Sequence, residues 1–203
     1  MKWRELFKHF GEMKHYLIAS VLVFAAGLVL GTMYPDRFQA FLDQQMEGLE
    51  KISGLVKGKE NLNLWLFIVI FLNNAIKSLM FVYLGLFFGI LPLMVLLVNG
   101  MLLGYVIQYQ MEAQSLAYVL KGILPHGILE IPAIIVACAY GLRLGILVIK
   151  MIGGLFSPKR SGNAAAEFKR VMRLTRPLIL LVVGTLLLAA VVESTVTLWL
   201  LKG

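Results

Sequence analysis

Hydrophobic residues run along this chain in long blocks, and the polar positions between them mark where each block ends. From Tyr16 to Tyr34 the sequence is almost wholly apolar, and Pro35 closes the run. A block of that size reaches the ~20 residues that a helix needs to cross a hydrocarbon core. Trp65 to Gln108 is too long for one crossing, and Gly85, Gly89 and Pro92 divide it in two. The predicted spans are therefore 16–34, 64–84, 88–108, 125–149 and 177–200. In the fourth, Pro125 can open the helix, because first-turn N–H groups lack intrahelical partners anyway. Pro132 removes one hydrogen bond and predicts a kink just past Glu130.

Between the blocks the apolar positions follow helical period instead of running together. Trp3, Leu6, Phe7 and Phe10 recur so within Met1–His15, predicting a short interfacial helix. In Asp36–Leu62, Phe38, Phe41, Leu42, Met46, Leu49, Ile52 and Val56 keep the same period. Asp36, Asp43, Glu47 and Glu50 take other faces, so the segment reads as an amphipathic helix on the membrane or capping the bundle. A loop is the alternative there. Tyr109–Gly122 reads as a short amphipathic connection, and Lys150–Arg176 as a basic loop. The expected fold is an all-α integral membrane protein: about five transmembrane helices plus an extracytoplasmic amphipathic helix, in one polytopic domain over 1–203.

Composition agrees with that reading. Of 203 residues 60% are hydrophobic and 15% charged, well below the ~25% charged of a soluble domain. The net charge of +8 sits beside the spans, which points to the lipid bilayer as partner and not to nucleic acid. Cys138 is the one cysteine, so no intrachain disulfide can form and no zinc pattern exists. No cofactor or metal is expected. The long polar leader does not read as a cleavable signal peptide. By the positive-inside rule the N-terminal arm and 150–176 belong in the cytoplasm, with 36–62, 109–122 and the C-terminus outside the cytoplasmic membrane. Both basic segments share a side only if an even number of spans separates them, which supports splitting 65–108.

Several polar residues interrupt the apolar blocks, where a charge costs roughly 2.5–3.5 kcal/mol at a helix centre. His126 and Glu130 stack on one helix face, four residues apart. Asn73, Asn74 and Lys77 lie inside the second span, Asn99 in the third and Glu193 in the fifth. At ~1.5 Å rise per residue, Glu130 lies roughly 8 Å inside the outer end of its span, and Asn73, Asn99 and Glu193 about 12–15 Å. Four spans thus carry polar groups at similar depth, and convergence is expected, with Lys77 paired to Glu130 or Glu193. Plain helix-to-helix bonding by the asparagines is the competing account. Arg143 is expected to reach toward the cytoplasmic headgroups. Gly27/Gly31, Gly85/Gly89, Gly100/Gly104 and Gly141/Gly145 share the GxxxG spacing that lets helix backbones approach closely.

The blocks FLNNAIKSLM, VNGMLLGYVIQ and LPHGILEIPAIIVACAYGLRLG together give a chain that resembles the stage II sporulation protein M family from Asn63 to Gly145. That resemblance implies a multi-spanning membrane protein, with forespore engulfment as the namesake's process. It also implies an anchoring role for a complex with peptidoglycan-hydrolase proteins. Three functions follow for testing. One is a non-enzymatic membrane scaffold that recruits cell-wall-remodelling partners. Another is a transporter or lipid-handling protein using the Lys/Glu/Asn cluster, with a homodimer supplying symmetry. The third, an intramembrane enzyme, has only His126 and Glu130 as candidate base and orienter, without a G-x-S-x-G or HExxH motif.

Overall fold

Each apolar block becomes a helix, the amphipathic stretches Trp3–Glu12 and Pro35–Gly54 become helices that lean on the others, and 109–122 is divided between the ends of two spanning helices. A computed structural model describes residues 3–54, 60–154, 158–197, 199 and 200, with side chains except at 45, 49, 50, 52, 53, 62, 113, 126 and 158–162. In chain order the helices are α1 (Trp3–Glu12), α2 (Lys14–Met33), α3 (Pro35–Gly54), α4 (Leu62–Leu84), α5 (Ile90–Ala113), α6 (Leu116–Gly153) and α7 (Pro158–Val192). A π-helical turn, Glu193–Thr197, continues α7. No strand occurs among the described residues. Among the described residues five helices are long and apolar enough to cross a membrane, so the chain is an all-α integral membrane protein.

Small residues decide which helices touch. A Cβ added at Gly27 or Gly31 of α2 would stand 2.3 Å from the Leu97 carbonyl oxygen or 2.0 Å from that of Met101 on α5. In return Gly100 and Gly104 receive the backbone of Phe24 and Leu28. The first span therefore pairs with the third, skipping the second. The break between α4 and α5 uses the same device. Gly89, at φ +74°, and Phe88, at φ +59°, turn the chain through left-handed backbone. That turn is pressed onto α6, where a Cβ on Gly145 would lie 2.1 Å from the Gly89 nitrogen. Gly85 and Gly141 meet just as closely. Pro92 sits in the first turn of α5, where its missing N–H costs nothing, and its ring faces Gly141.

Helix α6 is the hub, packed against α2, α4, α5 and α7. It departs from expectation at its start. Ser115 caps it by accepting a hydrogen bond from the Tyr118 N–H, so the helix begins at Leu116 and Pro125 does not open it. Both Pro125 and Pro132 lie within a continuous 38-residue helix. Helix α7 departs similarly. The segment expected as a basic loop is helical from Pro158, and Pro177 falls inside it. The cause is an apolar stripe at i, i+3 and i+4: Val171, Leu174, Leu178, Val182 and Leu186 are all buried against α6.

Candidate functional site

On α4, Asn73, Asn74, Lys77 and Ser78 occupy neighbouring positions of two i, i+4 rows and so share one face. Asn99 of α5, Glu130 of α6 and Glu193 of the π turn join them around a single cavity of about 750 Å³. That volume lies within the ~300–1,000 Å³ range of ligand pockets. Gly48 of α3 forms part of the wall, and α3 is tied to α5 by Tyr105 Oη donating to Asp43 Oδ1 at 2.7 Å. The amphipathic helix thus contributes to the cavity wall.

Inside it the polar groups are unequally engaged. Asn99 Nδ2 donates to the Val95 carbonyl at 2.8 Å on its own helix, and Asn73 Nδ2 donates to Asn74 Oδ1 at 3.1 Å. Neither bond crosses between helices, so the side chains furnish the cavity and do not staple its walls. Lys77 and Glu130 interact electrostatically, one of the two pairings left open for Lys77. The other expected pairing is absent: among the described residues no charged side chain lies close enough to Glu193 to interact with it. Three hydroxyl residues escaped the sequence reading, Ser78, Ser194 and Thr197, all buried and all lining the cavity. Ser78 lies four residues after Asn74, and Thr197 four after Glu193, so the same-face rule would have found both. His126 belongs to α6, but its side chain lies outside the described residues. None of the paired glycines, nor Pro92, Pro125 or Pro132, lines the cavity.

A second polar cluster stands about 20 Å further along α6, at ~1.5 Å per residue from Glu130 to Arg143. Arg143 does not reach for headgroups. It is 4% exposed and donates from Nη2 to Glu167 Oε1 at 2.8 Å, with Glu12 Oε2 at 3.7 Å. Arg170 bonds Glu12 from the other side, so α1, α6 and α7 are joined through charge. Beneath them His9 is fully enclosed, its Nδ1 3.6 Å from Glu12 and its ring tilted against Tyr140. Burial, helped by the Arg143 and Arg170 charges, lowers the His9 pKa to about 4. The bond from Arg170 holds the Glu12 carboxyl below its ordinary value. Tyr140 completes the joint by donating its hydroxyl hydrogen to the Val171 carbonyl. This cluster is a structural clasp for the N-terminal helix.

With that geometry in hand, the chain can be set beside known proteins. The family model described as Stage II sporulation protein M matches residues 20–198. An uncharacterized protein of Methanocaldococcus jannaschii is 33% identical over 136 residues, 66% of this chain and 57% of that protein. The chain thus spans little more than half the length of that curated relative. No solved structure matches it significantly.

Proposed function

This chain belongs to the stage II sporulation protein M family, and from that premise we propose that it takes a small polar ligand, or the polar head of a lipid, into its intramembrane cavity. The reading makes it a transport or lipid-handling protein. One observation carries it: polar side chains from four separate spans, Asn73, Lys77, Asn99, Glu130 and Glu193 among them, line one cavity of ligand size. Groups so costly in a bilayer mark ligand or ion sites by default. The arrangement also meets the rule that interrupted or irregular backbone at membrane depth borders a cavity, here through the π turn. Thiol labelling of the full chain in proteoliposomes tests the reading. An Asn99→Cys variant should react with a small polar methanethiosulfonate at least about tenfold faster than native Cys138, which is fully buried. Equal, negligible labelling of both would remove the cavity as a working compartment.

Family membership favours a second reading, a non-enzymatic scaffold that recruits cell-wall-remodelling partners, as a homodimer or alone. Cross-linking in the membrane followed by mass spectrometry separates the two. Stoichiometric recovery of peptidoglycan hydrolases, unaffected by Asn99→Phe, would favour the scaffold. For orientation, the basic N-terminal arm and the basic start of α7 support a cytoplasmic N-terminus in the cytoplasmic membrane.

A further inference from the structure

Among the described residues, one amino and two carboxyl side chains line the cavity: Lys77, Glu130 and Glu193. Lys77 and Glu130 interact electrostatically, so each has a partner of the opposite charge type within the cavity. Glu193 remains over, with no charged side chain close enough to interact with it among the described residues. Glu193 is partly buried, and a carboxylate at membrane depth without a counter-ion is costly, so a proton or a cation from outside the chain stabilises it.

The surroundings favour a cation with N–H or C–H donors. Glu193 opens the π turn, an irregularity that recurs at functional sites in helices. Two hydroxyls near its start are spent on the backbone: Ser194 Oγ donates to the Val191 carbonyl at 3.2 Å, and Thr195 Oγ1 donates to the same oxygen. Two others are not. Ser78 Oγ and Thr197 Oγ1 have no hydrogen-bond partner, although the residues are only 1% and 5% exposed. Both residues line the cavity that holds the uncompensated carboxyl. These hydroxyls can accept as well as donate, so together with the Glu193 carboxyl they offer acceptors to a donor from outside the chain. A bare metal ion would leave most of about 750 Å³ unfilled, whereas an organic head group suits it.

We infer that the cavity receives an organic ammonium group, with the Glu193 carboxylate as counter-ion and the Ser78 and Thr197 hydroxyls as further acceptors. The inference rests on the cavity being a ligand site and adds the chemical class of the ligand. Two sources share that chemistry: the amino head of a lipid and a free amine in solution.

The test uses the full chain in nanodiscs. Native mass spectrometry compares retention of phosphatidylethanolamine, its N-acetylated form and phosphatidylglycerol, all with matched tails. Radiolabelled ethanolamine and choline probe the free-amine source. At least one ammonium-bearing probe should bind, and Glu193→Gln should weaken it about tenfold or more, the size of a charge-assisted hydrogen bond. The exposed-site control Lys169→Gln should leave binding unchanged. Preference for the lipid names a lipid-handling protein, and preference for the free amine a solute site. A Leu103→Trp variant, accepted only if it melts like wild type, fills the cavity. If phosphatidylglycerol or the acetylated lipid binds better than the ammonium probes and Leu103→Trp displaces it, the ammonium assignment fails and the cavity reading stands. If ammonium binding is unchanged by Glu193→Gln, Glu193 takes a proton only and the inference fails. If no probe distinguishes wild type from Leu103→Trp, both readings fall.

Discussion

His9 lies sealed under the clasp that Glu12, Arg143, Glu167 and Arg170 make between α1, α6 and α7, and this fixes the sign of its pH response. Its pKa falls from 6.5 to about 4 on folding, so the unfolded chain binds the extra proton first. Stability is therefore complete above pH 6.5 and declines as pH falls toward 4, by roughly 3 kcal/mol at most at 1.36 kcal/mol per pKa unit. Glu12, also lowered, adds its own loss only below the ordinary carboxylate value of 4.5. Melting of the purified chain should thus drop between pH 6.5 and 5, and His9→Leu should flatten that drop while sparing the loss below 4.5. An unchanged slope in the variant would assign the response to another group. Arg143 shows what a sequence hides at this scale. Its cost in a bilayer is legible, but its partners lie 24 residues downstream in Glu167 and on the other side of the chain in Glu12. Reading the residue alone leaves headgroups as the only visible destination.

Helices were easier to read than their ends. Apolar length together with the Gly/Pro break at 85–92 announced five spanning helices, since nothing but a helix satisfies its backbone inside lipid in an unclosed chain. Pro125 misled because proline suits a first turn, while the weaker Ser115 signal upstream sets the actual start. The glycines carry a sharper expectation. Their spacing announces close approach but not the partner, and the structure pairs Gly27/Gly31 with Gly100/Gly104 and the Gly85–Gly89 turn with Gly141/Gly145. Gly31→Val would drive Cβ into the Met101 backbone, which cannot yield as a flexible side chain does. Its folded yield in detergent should fall severely. Gly184→Ala meets nothing within 4 Å and should be neutral or stabilising by up to about 1 kcal/mol from helix propensity. If both variants melt alike, the close crossing of α2 and α5 is not limiting.

For the whole molecule, depth arithmetic set the polar groups of four spans at similar depth, because helical rise converts residue number into position along the bilayer normal. It could not supply the rotation of each helix, so Ser194, off the i, i+4 rows, went unnoticed and the Lys77 partner stayed undecided. Orientation rests on charge, and cysteine labelling checks it. Impermeant reagent outside intact cells should modify a cysteine at exposed Gln39 and spare one at exposed Asn163, and the opposite pattern would invert the molecule. The pairing of α2 with α5 also sets a schedule for biosynthesis. Everything from Tyr34 to Gly89 must leave the ribosome before the first span can meet its mate, a delay on the order of seconds at ~5–20 residues per second. During that interval the bare glycine face of α2 stands against lipid or the insertion machinery. The nascent chain is then most open to membrane proteases and to capture by insertion chaperones.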